Sequence, residues 1–552
     1  MNLKKFKIHF FRGMVNDIRN RLPYYISDWT SDAWNYRIVP ATIYMYFANI
    51  LPAIAFALDL FTKTNNSYGV NEILLASAIG AGMFSVLSGQ PLCIVGVTGP
   101  ISVFSYTVYE IIVPRGTPYF QFMCWICLWS MVMHIVIGVC NGVVALKYIT
   151  RFSCDTFGFF TAFIYLQKGI QVLTHQFHGS DIRGFIAAMI ALCVLLFGYT
   201  CHILGANSSL FNQPIRRFIL DYSEPLCVVF FTGFIHIGKM RNYDITRLPT
   251  GASFTPTADI SIRPHGWVIY FWENISVSDI FLAIPFALLL TILFYFDHNV
   301  SSLVCQGSEF PLRKPPSFHW DFILLGICTG LSGVLGIPPP NGLLPQAPYH
   351  TMSLSVVHTK VKTTRSDNAD EQYMGYESII TQVIEQRVSN FVQGLMILGT
   401  MSRPLLIVLG LVPQAVLAGL FWIMGLAALQ TNGVVAKIYF LCQQHSLTPA
   451  SDPLMKVRLR SIYIFVLLEL ISFGATFALT QTIAAIGFPA MLIIFGGLSI
   501  FLNRIFPPEE LDILDSPTAS EFTMNMILTN PTPSSDLAQQ NEVVELDDLK
   551  IS

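Results

Sequence analysis

The stretch GQPLCIVGVTGPISVFSY, residues 89–106, decides the fold of this chain. Most of it is apolar enough to lie inside a lipid bilayer, yet it contains Pro91, Gly96, Gly99 and Pro100, residue types that interrupt helices. Because unpaired backbone groups are costly in a bilayer, non-helical backbone survives there only where it lines a cavity or is buried in protein. The stretch therefore predicts a half-helix that begins in mid-membrane after non-helical backbone, with Pro100 in its first turn.

A second stretch, LGIPPPNGLLPQAPYHTMSLSV at residues 335–356, has the same character. It is apolar, is interrupted by Gly and Pro, and ends in residues able to form a short helix. The two stretches are the third hydrophobic segments of the first and second halves of the chain. Paired interruptions at matching positions indicate a transporter built from inverted repeats, with the solute site between them. A kinked span without a ligand is the alternative for either stretch taken alone.

The composition of the whole chain is that of a polytopic membrane protein. Of its 552 residues, 53% are hydrophobic and 12% are charged, and its mean hydropathy is +0.55. At about 20 mainly apolar residues per span, we predict an all-α fold with about fourteen transmembrane segments. They lie near residues 39–62, 72–90, 92–112, 119–147, 153–174, 182–204, 214–238, 277–304, 318–337, 343–358, 385–402, 404–430, 459–481 and 484–503. The formal charge of −2 gives no indication of a nucleic-acid partner.

The distribution of Lys and Arg predicts the orientation of these segments. Basic residues collect on the cytoplasmic side of membrane proteins, and their alternation along the chain places both termini in the cytoplasm. The predicted regions are a basic amphipathic N-terminus at 1–38, a first repeat at 39–238, an extracellular loop at 239–276, a second repeat at 277–503 and a disordered acidic tail at 504–552. The N-terminus either lies along the inner membrane surface or is a solvated tail.

Several motifs resemble the family of bicarbonate and anion transporters that includes the red-cell band-three exchangers. GQPLCIVGVTGPISVF is similar to their third span, MYFANILPAIAF to their first and FYFDHNVSSLV to their eighth. EQRVSNFVQGLMILGT and LVPQAVLAGLFWIMGLAALQTNG resemble their eleventh and twelfth spans. The resemblance extends from about residue 35 to residue 505. Within the family, FDHNVSSLV and GIPPPNGLLPQAPYHTMSL are most similar to the boron exporters of fungi and plants.

The resemblance implies two inverted repeats of seven segments each, arranged as a core and a gate domain, and a homodimer formed through the gate domains. It also implies an exporter of borate or boric acid in the plasma membrane. Bicarbonate or another small anion is the alternative solute, and a passive borate channel is the alternative mechanism. The sequence has no cluster of His, Asp or Cys typical of a membrane-embedded enzyme or a metal site. We therefore expect neither an enzymatic activity nor a metal or cofactor.

Two facing helix N-termini are suited to bind an anion through their free N–H groups and partial positive charge. Borate is a tetrahedral anion with hydroxyl groups, so its site needs hydrogen-bond acceptors as well as donors. The predicted substrate-binding residues at the two helix starts are Thr98, Gly99, Pro100, Ile101, Ser102, Gln346 and Ala347. The resemblance places Gln346 where several animal exchangers carry an arginine, which puts simple chloride–bicarbonate exchange in doubt.

Asp297 is an ionisable residue in the middle of a predicted span, and such residues are functional candidates. We expect Asp297 to take up a proton as borate binds, which would couple boron movement to protons. The alternative is that Asp297 only anchors the half-helices. Ser301, one helical turn further on the same face, is assigned to the substrate site.

Four other polar residues are weaker candidates. Tyr46 and Asn49 in the first segment either line the cavity or pack against other helices. Glu469 is a second proton-coupling candidate or a buried strut. Lys168 is expected to extend to the membrane interface, and the alternative is that it adds positive charge near the site.

Overall fold

The first half of the chain is a series of helices with one short strand after the second long helix. The computed structural model describes residues 10–206, 210–251, 253–344, 346–365, 372–444, 448 and 452–529. The elements of the first half are α1 (Arg12–Arg21), α2 (Tyr25–Trp29), α3 (Ile38–Lys63), α4 (Val70–Leu87), β1 (Val95–Gly96), α5 (Gly99–Ile112), α6 (Tyr119–Val139), α7 (Arg151–Phe177), α8 (Asp181–Ala206) and α9 (Gln213–Phe234).

The second half repeats the order of two long helices, a two-residue strand and a short helix. Its elements are α10 (Val277–Val304), α11 (His319–Val334), β2 (Asn341–Gly342), α12 (Gln346–Ser353), β3 (Ser355–Arg365), β4 (Gln372–Val383), α13 (Val388–Thr400), α14 (Arg403–Leu409), α15 (Gln414–Gln430), α16 (Gly433–Cys442), α17 (Leu459–Thr480), α18 (Phe488–Ile505), α19 (Pro508–Leu514) and α20 (Glu521–Thr529). The segment α10–α11–β2–α12 thus matches α3–α4–β1–α5, as expected for two repeats.

The two broken segments cross each other through the short strands. β1 and β2 pair antiparallel, with Val95 opposite Gly342 and Gly96 opposite Asn341. The two glycines of the crossing have close neighbours. A Cβ atom on Gly96 would lie 2.6 Å from Asn49 Oδ1, and one on Gly342 would lie 3.1 Å from the His298 Cα atom. Since α5 and α12 begin shortly after the crossing, the predicted pair of half-helices is confirmed.

The number of long apolar helices agrees with the predicted segments once the broken ones are recognised. Within the described residues, seven helices are long and apolar enough to cross a membrane, namely α3, α4, α6, α8, α10, α17 and α18. Two further spans are bent pairs, α13 with α14 at 84° and α15 with α16 at 68°. The other predicted segments correspond to the half-helices α5 and α12 and to the shorter or more polar helices α7, α9 and α11.

The helices form two bundles. The core bundle contains α3, α4, α6, α10, α11 and α13, in which α6 packs against α10 and α11 and α4 packs against α13. The gate bundle contains α7, α8, α9, α15, α16, α17 and α18, with α7 packed against α8 and α15. Both half-helices, α5 and α12, contact α3 and are counted with the core bundle. The bundles meet where α3 touches α15 and where α10 touches α18.

The N-terminal helices are attached to the core bundle by buried charges. Asp17 Oδ2 accepts three backbone N–H groups, those of residues 318–320, at 2.7 to 3.1 Å, and so caps the start of α11. Asp28 is buried and pairs with Arg21 at 3.4 Å and with Arg387 at 3.1 Å. The exposed side of α1 and α2 carries an apolar row consisting of Phe11, Val15, Ile18, Leu22 and Ile26. These contacts favour an amphipathic segment at the membrane surface over a solvated tail.

The C-terminal region differs from the prediction of a disordered tail at 504–552. Residues 508–529 contain α19 and α20, whose apolar residues Leu511, Leu514 and Ile527 are buried. Residues 530–552 lie outside the described part of the chain. α20 packs on the 3-10 helix Gly142–Tyr148, which follows α6. The end of α6 also contacts the N-terminal region, because Phe11 N–H donates to Val139 O at 2.9 Å. Both described ends of the chain therefore lie on one face, which we call the terminal face.

The predicted tenth segment, 343–358, is shorter than expected. α12 ends at Ser353, and the chain continues into a hairpin in which β3 and β4 pair antiparallel from Ser355 opposite Val383 to Arg365 opposite Gln372. The sequence analysis did not predict this hairpin. Its consequence for the site is that α12 contributes little more than its N-terminal turn to the middle of the molecule.

Candidate functional site

The first half-helix begins in the interior of the protein, as the sequence predicts. Thr98 precedes it in an extended conformation, Gly99 is its first residue and Pro100 lies in its first turn. The first helical backbone bond runs from Ser102 N–H to Thr98 O at 3.2 Å. Because a helix start leaves N–H groups without intrahelical acceptors, those of Gly99 and Ile101 point away from the helix body. All five predicted residues from Thr98 to Ser102 are buried.

The second half-helix starts at Gln346, directly after a residue outside the described part of the chain. Ala347 N–H donates to Leu343 O at 2.9 Å. Gln346 Nε2 donates to Ala48 O in α3 at 3.3 Å. Both predicted residues of this half-helix, Gln346 and Ala347, are buried. The side-chain amide of Gln346 therefore connects the second broken segment to the first long helix.

Asp297 lies between the two broken segments. Its Oδ2 atom accepts hydrogen bonds from Thr98 Oγ1 at 3.5 Å and from Asn341 Nδ2 at 3.1 Å, and the side chain is buried. Thr98 belongs to the first broken segment and Asn341 to the second. A single carboxyl oxygen thus joins both halves of the chain, which is the geometry expected of an anchor. Asn341 was not among the predicted residues. In the sequence PPPNG, residues 338–342, an asparagine that donates to Asp297 looks the same as one that only forms a turn.

The other predicted residues of the core bundle lie around the crossing rather than at the helix starts. Ser301 Oγ is 3.8 Å from Cys93 Sγ. Asn49 Nδ2 donates to Gln393 Oε1 at 3.3 Å. The Tyr46 hydroxyl is 2.7 Å from Thr400 Oγ1 in α13. Hydrogen bonds within the core bundle therefore hold these side chains.

Glu469 belongs to a different cluster. Its Oε1 atom lies 2.6 Å from Lys437 Nζ, which is also 3.2 Å from Asp155 Oδ2. All three residues are in the gate bundle, on α17, α16 and α7. A buried carboxylate paired with a lysine has the contacts of a structural strut. Of the two interpretations of Glu469, proton coupling or a buried strut, these contacts fit the strut.

Lys168 does not extend to the membrane interface as expected. It is buried, and its Nζ atom lies 2.7 Å from Asp59 Oδ2. Lys168 belongs to α7 of the gate bundle and Asp59 to α3 of the core bundle. The pair is a salt bridge between the two bundles.

Three cavities lie along the seam between the bundles. The terminal cavity, of about 330 Å³, opens near the terminal face and is lined by residues that include Val300, Leu344, Tyr349, Ala428 and Thr518. The opposite cavity, of about 310 Å³, is lined by residues that include Lys63, Val103, Tyr106, Lys168 and Thr480. The inner cavity, of about 40 Å³, lies beside Gln346 and shares Tyr349 and Ala428 with the terminal cavity. Each large cavity is thus bordered by one half-helix.

Two further features concern the chemistry of the site. Within the described residues, no group of three or more His, Cys, Asp or Glu side chains is arranged to hold a metal ion. The inner cavity is lined by Glu224 of α9, which the sequence analysis missed. The signal that identified Asp297, an acidic residue within an apolar segment, applies equally to Glu224.

Comparison with known proteins gives a consistent result. The HCO3- transporter integral membrane domain family matches residues 9–189 and 179–519. A putative transporter of Schizosaccharomyces pombe is 51% identical over 515 residues, which cover 93% of this chain and 97% of that protein. Boron transporter 1 of Saccharomyces cerevisiae is 49% identical over 525 residues, 94% of this chain and 88% of that protein. The structure of SLC26A9 is similar in fold, with a TM-score of 0.50 and 15% identity over 89% of this chain and 69% of that chain.

Proposed function

The chain belongs to the family of HCO3- transporter integral membrane domains, and from this premise we propose that it exports borate or boric acid across the plasma membrane. The observation that carries the proposal is the pair of half-helix starts joined through Asp297. The similarity to boron transporter 1 of Saccharomyces cerevisiae, at 49% identity, supports boron as the solute.

The transport step in this proposal is a movement of the core bundle against the gate bundle. The two large cavities lie at opposite ends of the same seam, as alternating access requires. The anion is held by the N–H groups of Gly99 and Ile101 and by the side chain of Gln346. Thr98 and Gln346 also accept hydrogen bonds from its hydroxyl groups. Asp297 takes up a proton when borate binds, because a carboxylate beside an anion is repelled.

The same proposal includes the surroundings of the protein. Both termini are cytoplasmic, so the terminal face is the cytoplasmic face, and the protein forms a homodimer through the gate bundles. It is a transporter and not an enzyme. Its partners are the boron solute, protons as the coupling ion and the lipid membrane.

Bicarbonate or another small inorganic anion is the second candidate solute. The family matched by this chain is described by its HCO3- transport. Gln346 argues against this candidate, because its amide oxygen can accept hydrogen bonds from the hydroxyl groups of borate, whereas an arginine has no acceptor and bicarbonate has only one hydroxyl group. A passive borate channel remains a separate alternative for the mechanism.

Reconstituted vesicles test the solute and the coupling together. Full-length protein in vesicles loaded with boric acid at pH 7 is expected to release boron, and a proton gradient is expected to change the rate. Boron release that is unaffected by the gradient would indicate a uniporter, and bicarbonate flux without boron flux would favour the second candidate.

Asp297→Asn tests the proton role of Asp297 separately from its role as an anchor between Thr98 and Asn341. Asparagine keeps an oxygen that accepts the hydrogen bonds of Thr98 and Asn341 but binds no proton in this pH range. We expect the variant to fold and to lose the effect of the proton gradient on boron flux. Unchanged, gradient-dependent flux would leave Asp297 as an anchor only.

A further inference from the structure

Glu224 is a carboxyl group within the gate bundle for which the transport scheme above has no role. It lies in α9 and lines the inner cavity opposite Gln346 of the core bundle. Among the residues that the structure describes, none forms a salt bridge with Glu224. By contrast, Glu469 and Asp59 each have a lysine partner. An ionisable side chain without such a partner in a membrane span is costly and indicates a functional site.

Two side chains, Glu224 and Gln346, offer carbonyl or carboxyl oxygens as hydrogen-bond acceptors to the inner cavity. The Tyr165 hydroxyl lies beside the Gln346 amide, but the buried Oε1 atom of Gln346 has no partner in hydrogen-bonding geometry among the described residues. One of the two N–H groups of Gln346 Nε2 donates to Ala48 O at 3.3 Å. The remaining lining residues are Tyr44, Ala48, Tyr349, Met424, Ala427 and Ala428. The carboxylate of Glu224 and the Oε1 atom of Gln346 thus offer acceptors to a solute that carries O–H or N–H donors.

The position of the cavity places Glu224 on the route from the terminal face. Tyr349 and Ala428 line both the terminal cavity and the inner cavity, so the two are adjacent. Glu224 and Gln346 face the inner cavity from different bundles. A solute between them would contact both bundles just before it reaches the start of α12.

We propose that Glu224 selects the solute by accepting hydrogen bonds from the hydroxyl groups of neutral boric acid in the inner cavity. Boric acid presents three O–H donors and no charge, whereas chloride has no donor and bicarbonate has one. The carboxylate of Glu224 binds hydroxyl groups through charge-assisted hydrogen bonds and repels anions. This inference rests on the proposed function and adds the form of the solute that passes Glu224, which is neutral boric acid. At the half-helix starts boric acid adds one water molecule to become borate, and Asp297 takes up the proton that this addition releases.

The experiment compares Glu224→Gln with wild type in reconstituted vesicles. The measured quantities are KM and the maximal rate for boric acid, together with the chloride flux. Loss of a hydrogen bond to a charged acceptor is expected to raise KM about tenfold. Removal of the negative charge is expected to increase the chloride flux. Glu509→Gln is the matched control, because Glu509 is an exposed carboxylate in α19 that lines none of the three cavities, and it should change neither quantity.

A purely structural role of Glu224 would reduce the amount of folded protein without changing selectivity. Glu224→Asp covers the case in which Glu224→Gln does not fold, since it keeps the charge but shortens the side chain. It is expected to exclude chloride like wild type while its KM for boric acid rises. Wild-type boron flux with unchanged KM and chloride flux in both variants would overturn this inference alone. Wild-type vesicles that move bicarbonate but no boron would overturn the proposed function, and this inference with it.

Discussion

At the scale of single residues, Asp297 is held by side chains that are far apart in the sequence. Thr98 and Asn341 donate to the same oxygen atom, and the bond from Asn341 is the shorter one, at 3.1 Å against 3.5 Å. Neither bond excludes the proton role, because a protonated carboxyl group still has an oxygen that accepts. The two bonds do fix the position of the carboxyl group between the half-helices.

Asn341→Ala removes the shorter of these bonds. We expect the free energy of unfolding to fall by about 1–3 kcal/mol, the typical cost of leaving a buried polar group unsatisfied. Thermal unfolding in detergent measures the change. In an Asp297→Ala background the same substitution should cost less, because the acceptor is already gone. Equal costs in both backgrounds would show that Asn341 does not act through Asp297.

Lys437 and Glu469 give a second prediction at this scale. Lys437→Met leaves Glu469 buried without its partner at 2.6 Å, and loss of one member of a buried ion pair costs about 3–5 kcal/mol. The double variant Lys437→Met/Glu469→Gln should recover the part of that loss that comes from Glu469, while Asp155, whose side chain is 13% exposed, still loses its contact with Lys437 at 3.2 Å. Thermal unfolding tests both variants. If Glu469 is a strut, the double variant keeps the response of boron flux to a proton gradient, whereas a proton relay would lose it.

At the scale of elements, the C-terminal segment joins the two bundles. Asp515 Oδ1 accepts the Phe152 N–H at 2.7 Å at the start of α7, and Ser520 N–H donates to Gln306 O at 3.3 Å after α10. Burial raises the pKa of Asp515 to about 6, although the hydrogen bond from Phe152 acts in the opposite direction. The docked segment therefore favours the protonated carboxyl group.

The docking of this segment is expected to depend on pH. An undocked aspartate has a pKa of about 3.9, so the contribution of Asp515 to docking is complete below that pH and is lost as the pH rises through about 6. Limited proteolysis between pH 5 and 7.5 should cleave residues 508–529 faster at the higher pH. Asp515→Asn keeps an acceptor for Phe152 but does not titrate, so its cleavage should depend less on pH. The same dependence in both proteins would contradict the prediction.

The elements that the sequence predicts are those whose signal is local. The half-helices at Gly99 and Gln346 follow from Pro and Gly in apolar surroundings, and the long helices follow from length and hydropathy. The crossing strands have two residues each and no periodicity to detect. Partners such as Asp59 and Lys168 are 109 positions apart, so their pairing depends on how the bundles pack. Acidic and hydroxyl residues dominate the composition of the C-terminal region. The few apolar residues that pack it against the bundles are therefore not apparent from composition.

At the scale of the whole molecule, the seam between the bundles is the part that must change during transport. Lys168 and Asp59 connect the gate and core bundles at 2.7 Å beside the opposite cavity. Their side chains are 3% and 9% exposed, so screening by solvent weakens this pair less than a surface pair. Opening of the opposite cavity by movement of the bundles would separate the two residues.

The double variant Asp59→Asn/Lys168→Gln removes this salt bridge without leaving a buried charge unpaired. We expect it to open the opposite cavity more often and so to speed the reaction of a cysteine at Thr480→Cys with a membrane-impermeant thiol reagent. A labelling rate that rises about tenfold corresponds to a shift of about 1.4 kcal/mol in the equilibrium between closed and open forms. Lys437→Met/Glu469→Gln is the control, because that pair lies within the gate bundle and its removal should not alter labelling. Labelling is measured at position 480, because Cys193 and Cys442 are also exposed. If both double variants are labelled there as slowly as the Thr480→Cys protein with both salt bridges intact, the contact between Asp59 and Lys168 does not limit opening, and the bundles must separate elsewhere along the seam.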